Sequence, residues 1–346
     1  MSRGLTFEFE DVIAECDDRV RIDSRAIPTE KLGRKVWRAG RAAALLANRS
    51  KASRGDELVF ATAQVMGDLA DHLAFQSEIR SAAKSAAFIE ELWIRDIPLR
   101  LDLRRLLELF DHVFVSCAAT VGPLAEHLGK PVTYLPPSVD HDRFAATPWP
   151  PTSIDVYAMG RRQPALHEAL VRWTEADRSR FYLFDTFVGN VPIADHKQHR
   201  EKLADLIRRS RYFLVNGAKV DRSEETGAQS ELGYRFFEGA AAGAVMIGTA
   251  VDAPVFGELF TWAEPAIVVD PSGDDIVHRM SELDEQPERR ASIRHRNASG
   301  SLRAHDPAHR WRTVLKTLGL EEPRGVAARI DRLAKRAEAI DLSATE

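Results

Sequence analysis

Glu238 is the one carboxylate in the middle of 231–249, ELGYRFFEGAAAGAVMIGT, a stretch otherwise poor in reactive side chains. It is followed by Gly239, Ala240, Ala241, Ala242 and Gly243, which leave little to pack and allow a sheet or a ligand to come close. A carboxylate one turn inside such a helix can accept two hydrogen bonds from a ribose cis-diol, and the unpaired N–H groups at the helix start attract phosphate. Gly233, near that start, would let a diphosphate approach the backbone. Arg161 and Arg162 follow Gly160 after an apolar run. Arginine suits a diphosphate because its charge is permanent and its fork fits paired oxygens, although adjacent loop arginines can equally be solvated. Lys219, in VNGAKVDRS, could reach a phosphate from another loop or remain a surface lysine.

Glu90 and Glu91 follow the apolar run 86–89 as at a strand end. Glu91 there could deprotonate an acceptor hydroxyl, and an acidic turn beside a packed Trp93 is the plainer alternative. Two constellations invite a metal. Asp140-His141-Asp142 is an Asp-x-Asp, but it precedes a proline-rich stretch, which favours a turn and helix cap. His196 and His199 stand three apart behind Asp195, with no third ligand in view and a capping role that explains the Asp. No metal is expected.

The elements that must position these residues alternate as in a parallel α/β protein. Short apolar runs at 57–61, 112–116, 132–135, 154–158, 181–184, 212–215, 244–248 and 266–269 predict strands. Helices are predicted at 30–49, 64–73, 76–84, 99–109, 120–128, 163–177, 196–209, 233–242 and 274–285. A chain of 346 residues favours two domains. The prolines of 145–153, AATPWPPTS, suggest a stiff connector, so the expected division is 1–146, a linker 147–153, and 154–318. In 319–346, Ile330, Leu333, Ala334, Ala337 and Ile340 share one helical face and predict a docked C-terminal helix.

Composition narrows the class. Hydrophobic residues at 44% and charged ones at 29% fit a globular chain, and a net charge of -4 argues against a general nucleic-acid binder. Cys16 and Cys117 match no metal spacing and suit a reducing cytoplasm, and no apolar run is long enough for a transmembrane helix. The motifs GxxxxGK[ST], GxGxxG, HExxH and GxSxG are absent, which removes support for kinases, dehydrogenases and serine hydrolases.

Glu238, the small-residue run, Gly243 and the strand Val245-Met246-Ile247 together resemble the donor-site signature of group 1 glycosyltransferases. Within that group the sequence Arg235-Phe236-Phe237-Glu238 looks most like the branch related to bacterial spore-maturation glycosyltransferases. Residues 110–144 and 154–170 fall in the order the family would show, and the resemblance covers roughly 105–315. It implies a GT-B fold, two Rossmann-like domains facing each other across a cleft, with an N-terminal acceptor domain trimmed relative to full two-domain members. It also implies that Glu238 binds the nucleotide ribose, that Arg161 or Arg162 meets the diphosphate, and that Gly233, Tyr234 and Arg235 lie along the phosphates and donor sugar. Many retaining members pair two glutamates eight positions apart. Here position 230 is Ser and Glu231, the candidate partner, stands one residue away.

The resemblance thus implies a metal-independent hexosyltransferase, without cofactor, that uses a nucleotide-diphosphate sugar and a small-molecule or glycan acceptor. A sugar-nucleotide epimerase of the same architecture and a non-catalytic nucleotide-sugar-binding protein are the competing readings.

Overall fold

The computed structural model describes residues 4–24, 28, 30–47, 58–145, 147–185, 194–251 and 255–343. The chain divides into two compact units. The smaller comprises Val20–Pro136 and Thr313–Leu320, and the larger Met1–Arg19, Pro137–Arg312 and Glu321–Glu346.

In the smaller unit β1 (Leu58–Val65), β2 (Lys84–Glu91), β3 (His112–Val115) and β4 (Val132–Tyr134) lie side by side in chain order, all parallel. Parallel strands covered on both faces read as continuous apolar runs, and β2 buries Ala86, Ala87, Phe88 and Ile89 in succession. Leu106 and Leu107 of the Leu101–Leu109 helix and Leu124 of the Val121–Leu128 helix fill the core with Ile89, Val113 and Val115. The run 86–89 is therefore the middle of a full strand, and the helix expected over 76–84 ends at Ser81.

The larger unit holds β5 (Ile154–Ala158), β6 (Tyr182–Phe184), β7 (Ser210–Val215), β8 (Val245–Thr249) and β9 (Ile267–Val269), again all parallel. Their order is β6-β5-β7-β8-β9. The Tyr234–Ala241 helix packs on this sheet so closely that a Cβ on Gly239 would sit 2.6 Å from Met246 Sδ and 2.9 Å from Phe213 Cδ1. Tight seating against β7 and β8 by itself accounts for part of the small-residue run.

The boundary differs from the expected one. The Gly4–Cys16 helix belongs to the larger unit and packs beside the His196–Arg208 helix. The stretch 147–153 lies inside the same unit and does not connect two domains: Trp149 Nε1 donates to Ala242 O at 2.9 Å, and the Arg294 guanidinium stacks 4.9 Å above its ring. The expected tail forms the Arg324–Ser343 helix, whose Leu333, Ala337 and Ile340 pack on Ala298 and Leu302. Residues 48–49 and 57, at the ends of two expected elements, and 146, the expected domain end, lie outside the described residues.

Candidate functional site

The larger sheet reverses its growth at β5. The chain steps outward to β6, crosses back to β7 and continues away through β8 and β9. In open parallel sheets, ligands collect outside the carboxyl ends of the strands where the order reverses. The segments leaving β5 and β7 carry Gly160, Arg161 and Arg162 on one side and Asn216, Gly217, Ala218 and Lys219 on the other.

These segments are joined by hydrogen bonds. Asn216 Nδ2 donates to Arg161 O at 3.4 Å, and Asn216 Oδ1, buried, has no partner among the described residues. Arg161 pairs with Asp221 at 3.2 Å. Arg162 pairs with Asp185 at 3.0 Å, which also accepts from Gly160 N at 2.9 Å. Lys219 Nζ lies 3.3 Å from Glu225. Gly233 is the N-cap of the Tyr234–Ala241 helix, where a Cβ would come within 2.5 Å of Asn216 O. Only glycine lets this helix start abut the end of β7.

Glu238, one turn into that helix, is fully buried. Arg235, one turn back on the same helix, donates through Nη1 to Glu238 Oε2 and through Nε to Met159 O at 3.3 Å. Arg200, from the His196–Arg208 helix, donates through Nη1 to Glu238 Oε1. Its other two donors form a fork with Glu8 of the Gly4–Cys16 helix, Nε to Oε2 at 2.9 Å and Nη2 to Oε1 at 3.0 Å. Burial alone would raise the Glu238 carboxyl, but Arg235 and Arg200 outweigh it and hold it below the usual carboxylate range. Burial likewise works against the Arg200 charge, and Glu8 and Glu238 more than offset it. A ribose reaching Glu238 must therefore displace an arginine, and Arg235, with 26% of its side chain exposed, is the accessible one.

The structure thus brings Arg161, Arg162, Lys219, Gly233, Tyr234, Arg235 and Glu238 to one end of one sheet or onto the helix that starts there. Glu231 is buried in the preceding loop and accepts from Gln229 Nε2 at 2.7 Å. Glu91 ends β2 in the other unit and accepts from Trp93 Nε1 at 2.8 Å. Asp140 and Asp195 cap helices, accepting from Asp142 N and Gln198 N. Among the described residues no three His, Cys, Asp or Glu gather as a metal set. Sequence reasoning missed Asn216, Arg200 and Glu8. Asn216 was legible as the polar residue that ends YFLVN, whereas nothing in the sequence links Glu8 to Arg200 across 192 positions.

A parallel sheet with a reversal point, loop arginines and a glycine-led helix is the α/β arrangement in which ligands collect at the carboxyl ends of the strands. Residues 154–316 match the family model described as glycosyl transferase-like. Among the solved structures that resemble most of the chain are two of the α/β class. Alr3699/HepE of Anabaena, solved with UDP and glucose, is 12% identical with a TM-score of 0.52 over 84% of each chain. A glycosyltransferase from Rickettsia africae ESF-5 is 12% identical with a TM-score of 0.50, over 89% of this chain and 86% of that chain. No curated protein matches the sequence. The fold is the α/β GT-B type of these glycosyltransferases. Among the described residues no helix is long and apolar enough to cross a membrane.

Proposed function

We propose that the larger unit binds a nucleotide-diphosphate sugar at the β5–β7 reversal and that the protein transfers the sugar to an acceptor. The observation that carries this reading is the convergence there of Arg161, Arg162, Lys219 and the Gly233-led helix bearing Arg235 and Glu238. The family match over 154–316 supports sugar transfer.

In this reaction the bond from the sugar anomeric carbon to the diphosphate oxygen breaks, and that oxygen keeps the electron pair. A bond to the acceptor oxygen forms, and the acceptor proton leaves to a base. Glu238 accepts from the ribose hydroxyls. The charge that develops on the leaving diphosphate is met by Arg161, Arg162, Lys219 and Arg235, the electrostatic stabilisation that dominates such steps. Each of these cations is paired with a carboxylate. The pairs of Arg161, Arg162 and Lys219 are partly exposed and worth about 1 kcal/mol each, so a diphosphate can exchange for them. The Arg235 pair ends on buried Glu238 and is exchanged only as the ribose hydroxyls take its place. With four cations in place the reading needs no metal. Glu91 is the candidate base for the acceptor hydroxyl.

In the same reading the protein is a cytoplasmic hexosyltransferase of the spore-maturation-like branch, acting on a small-molecule or glycan acceptor and not on nucleic acid. Calorimetry with UDP, GDP, dTDP and their sugars tests it. A nucleotide diphosphate should bind the wild type, and Glu238→Ala should weaken it at least tenfold. Silence across the whole panel, or undiminished binding by Glu238→Ala, would sink the reading.

A further inference from the structure

The four charges of the chain Glu8, Arg200, Glu238 and Arg235 are not equivalent. Glu8, Arg200 and Glu238 are buried, with Arg200 at 3% and Glu8 at 2% exposure, whereas Arg235 reaches solvent. Arg200 is fixed on every side: Glu8 takes two of its donors, Glu238 takes a third, and its guanidinium stacks 4.7 Å over the Phe144 ring. Glu8 is fixed in turn, because its Oε1 also accepts from Asp140 N at 3.1 Å. One oxygen of Glu238 therefore has an immobile partner and the other an exchangeable one.

We propose that Glu8 and Arg200 are positioning residues of the donor site: they lock one oxygen and the orientation of the Glu238 carboxylate, so that a nucleotide's ribose exchanges only with Arg235 at the other. The N-terminal Gly4–Cys16 helix is by this inference part of the donor-binding machinery, although it touches no ligand. The inference rests on the donor reading above. Its physical basis is preorganisation: a carboxylate already desolvated, ionised and aimed loses little on accepting the diol. The released Arg235 guanidinium already lies beside Gly160, 3.6 Å from where a Cβ would stand, on the segment expected to meet the diphosphate. Binding of the ribose thus makes a cation available for the phosphates.

Removing Arg200 alone would leave Glu8 and Glu238 as neighbouring buried carboxylates, with unfolding as a foreseeable result. The double variant Glu8→Met/Arg200→Met removes the pair together and leaves Glu238 with Arg235. Buried ion pairs replaced by apolar residues of similar size are commonly neutral in stability. Circular dichroism and thermal unfolding confirm that this variant is folded. Calorimetry then compares UDP, GDP, ADP and inorganic pyrophosphate on wild type and variant.

The expected result is a loss of at least tenfold in affinity for the nucleotide diphosphate that binds the wild type, with pyrophosphate affinity changed less than about twofold. A merely structural role would not produce that selectivity. A second readout is the acid limb of nucleotide affinity, which should move to higher pH in the variant because Arg200 no longer helps hold Glu238 ionised. Arg235 faces Glu238 from its own helix and Arg200 from the neighbouring one, with Tyr157 and His199 within electrostatic reach. Of these only Arg200 is removed; Glu8, removed with it, is a like charge that contacts Arg200 and not Glu238, so its loss offsets the change only in part. Equal nucleotide affinity with an unmoved acid limb, or a parallel loss of pyrophosphate and nucleotide, overturns the inference while leaving the donor reading standing. Failure of every nucleotide to bind the wild type overturns both. A variant that does not fold transfers the test to Arg200→Lys, which keeps the buried charge but not the fork. A nucleotide affinity equal to wild type in Arg200→Lys would also overturn the inference.

Discussion

The larger unit contains two buried ionic networks built from the same residue types, which meet where Glu8 accepts from Asp140 N and Arg143 lies between Glu8 and Asp140, and they end differently. One runs Glu8, Arg200, Glu238, Arg235 and opens at Arg235 onto the reversal point of the sheet. The other centres on Arg329 of the C-terminal helix. Arg329 donates to both oxygens of Asp306 at 2.9 Å and to Asp140 at 2.7 Å. Asp306 also accepts from His141 N at 3.2 Å, and His141 Nε2 meets Ser301 Oγ at 2.8 Å. Here the central carboxylate has only buried partners, and the exposed members lie at the edge: Arg332 and Arg336 contact the outlying Asp142, and Glu15 stands 3.8 Å from Arg329. A closed network ties the Arg324–Ser343 helix to the start of the His141–Phe144 helix. An open one keeps a charged group ready for exchange. Burial of charge is thus no sign of function; what matters is whether one partner can leave.

The largest expected effect breaks the closed network. Arg329→Met leaves buried Asp306 without its cation and Asp140 with Arg143 alone, 3.5 Å away, and an uncompensated buried charge costs about 3–5 kcal/mol. Urea or thermal unfolding should show that loss, while nucleotide affinity of the folded protein stays within about twofold of wild type. The next effect breaks the open network. Glu238→Gln leaves Arg200 paired with Glu8 and lets Arg235 turn to solvent, so stability should fall by no more than about 1 kcal/mol. Nucleotide affinity, measured by calorimetry, should fall at least tenfold. If the two variants exchanged these signatures, the distinction between closed and open networks would be wrong.

How much of this was legible in the sequence follows from the range of each interaction. The central strands β5, β7 and β8 were visible as apolar runs because a parallel sheet buried on both faces needs them, and the edge strands β6 and β9 as shorter runs that are only partly buried. Glu238, Arg235 and Gly233 were visible because local spacing along one helix carries their relation. The Pro287–Ala304 helix was not, since its run of arginines, serines and histidines gives a weak apolar stripe, and only Ile293, Ala298 and Leu302 form its buried apolar contacts. The Gly4–Cys16 helix was passed over for a related reason: its buried face includes Glu8, which reads as a surface residue until Arg200 is seen opposite. The unit boundary was misplaced because prolines mark stiffness, and stiffness in 147–153 serves to seat Trp149 against the helix end at Ala242.

Acid is a gentler probe of the same contrast. Burial would raise the Asp306 carboxyl, but hydrogen bonds from His141 and Arg329 hold it far below the usual carboxylate range. A carboxyl whose folded value lies below its unfolded value of about 4 stabilises fully above that value, and the contribution is lost as pH falls through the unfolded value toward the folded one. Below about pH 4 the slope from this one group approaches 1.4 kcal/mol per pH unit. His305, buried and held neutral by desolvation and by Arg310, adds an earlier loss, because the unfolded chain takes up a proton below about pH 6.5 that the folded chain refuses. Stability followed by urea titration from pH 7 to 3 should therefore fall in two stages, and Asp306→Asn should flatten only the second.

The smallest effect is expected at the rim of the closed network. Arg332 forks onto Asp142 at 2.5 and 2.6 Å, yet half of its side chain is exposed, and Arg329 and Arg336 also hold Asp142. The hydrogen bond from Arg332 does lower the Asp142 carboxyl against the opposing effect of burial. Because the pair is half-exposed and backed by two other cations, Arg332→Ala should cost no more than about 0.5 kcal/mol at 0.1 M salt and nearly nothing at 1 M. The loss in Arg329→Met should persist at both salt concentrations, since water and ions do not reach Asp306. A salt-independent cost for Arg332→Ala of the size seen for Arg329→Met would mean that the rim and centre act as one unit. The network would then be open to solvent at Asp142 in the same sense that the other is open at Arg235.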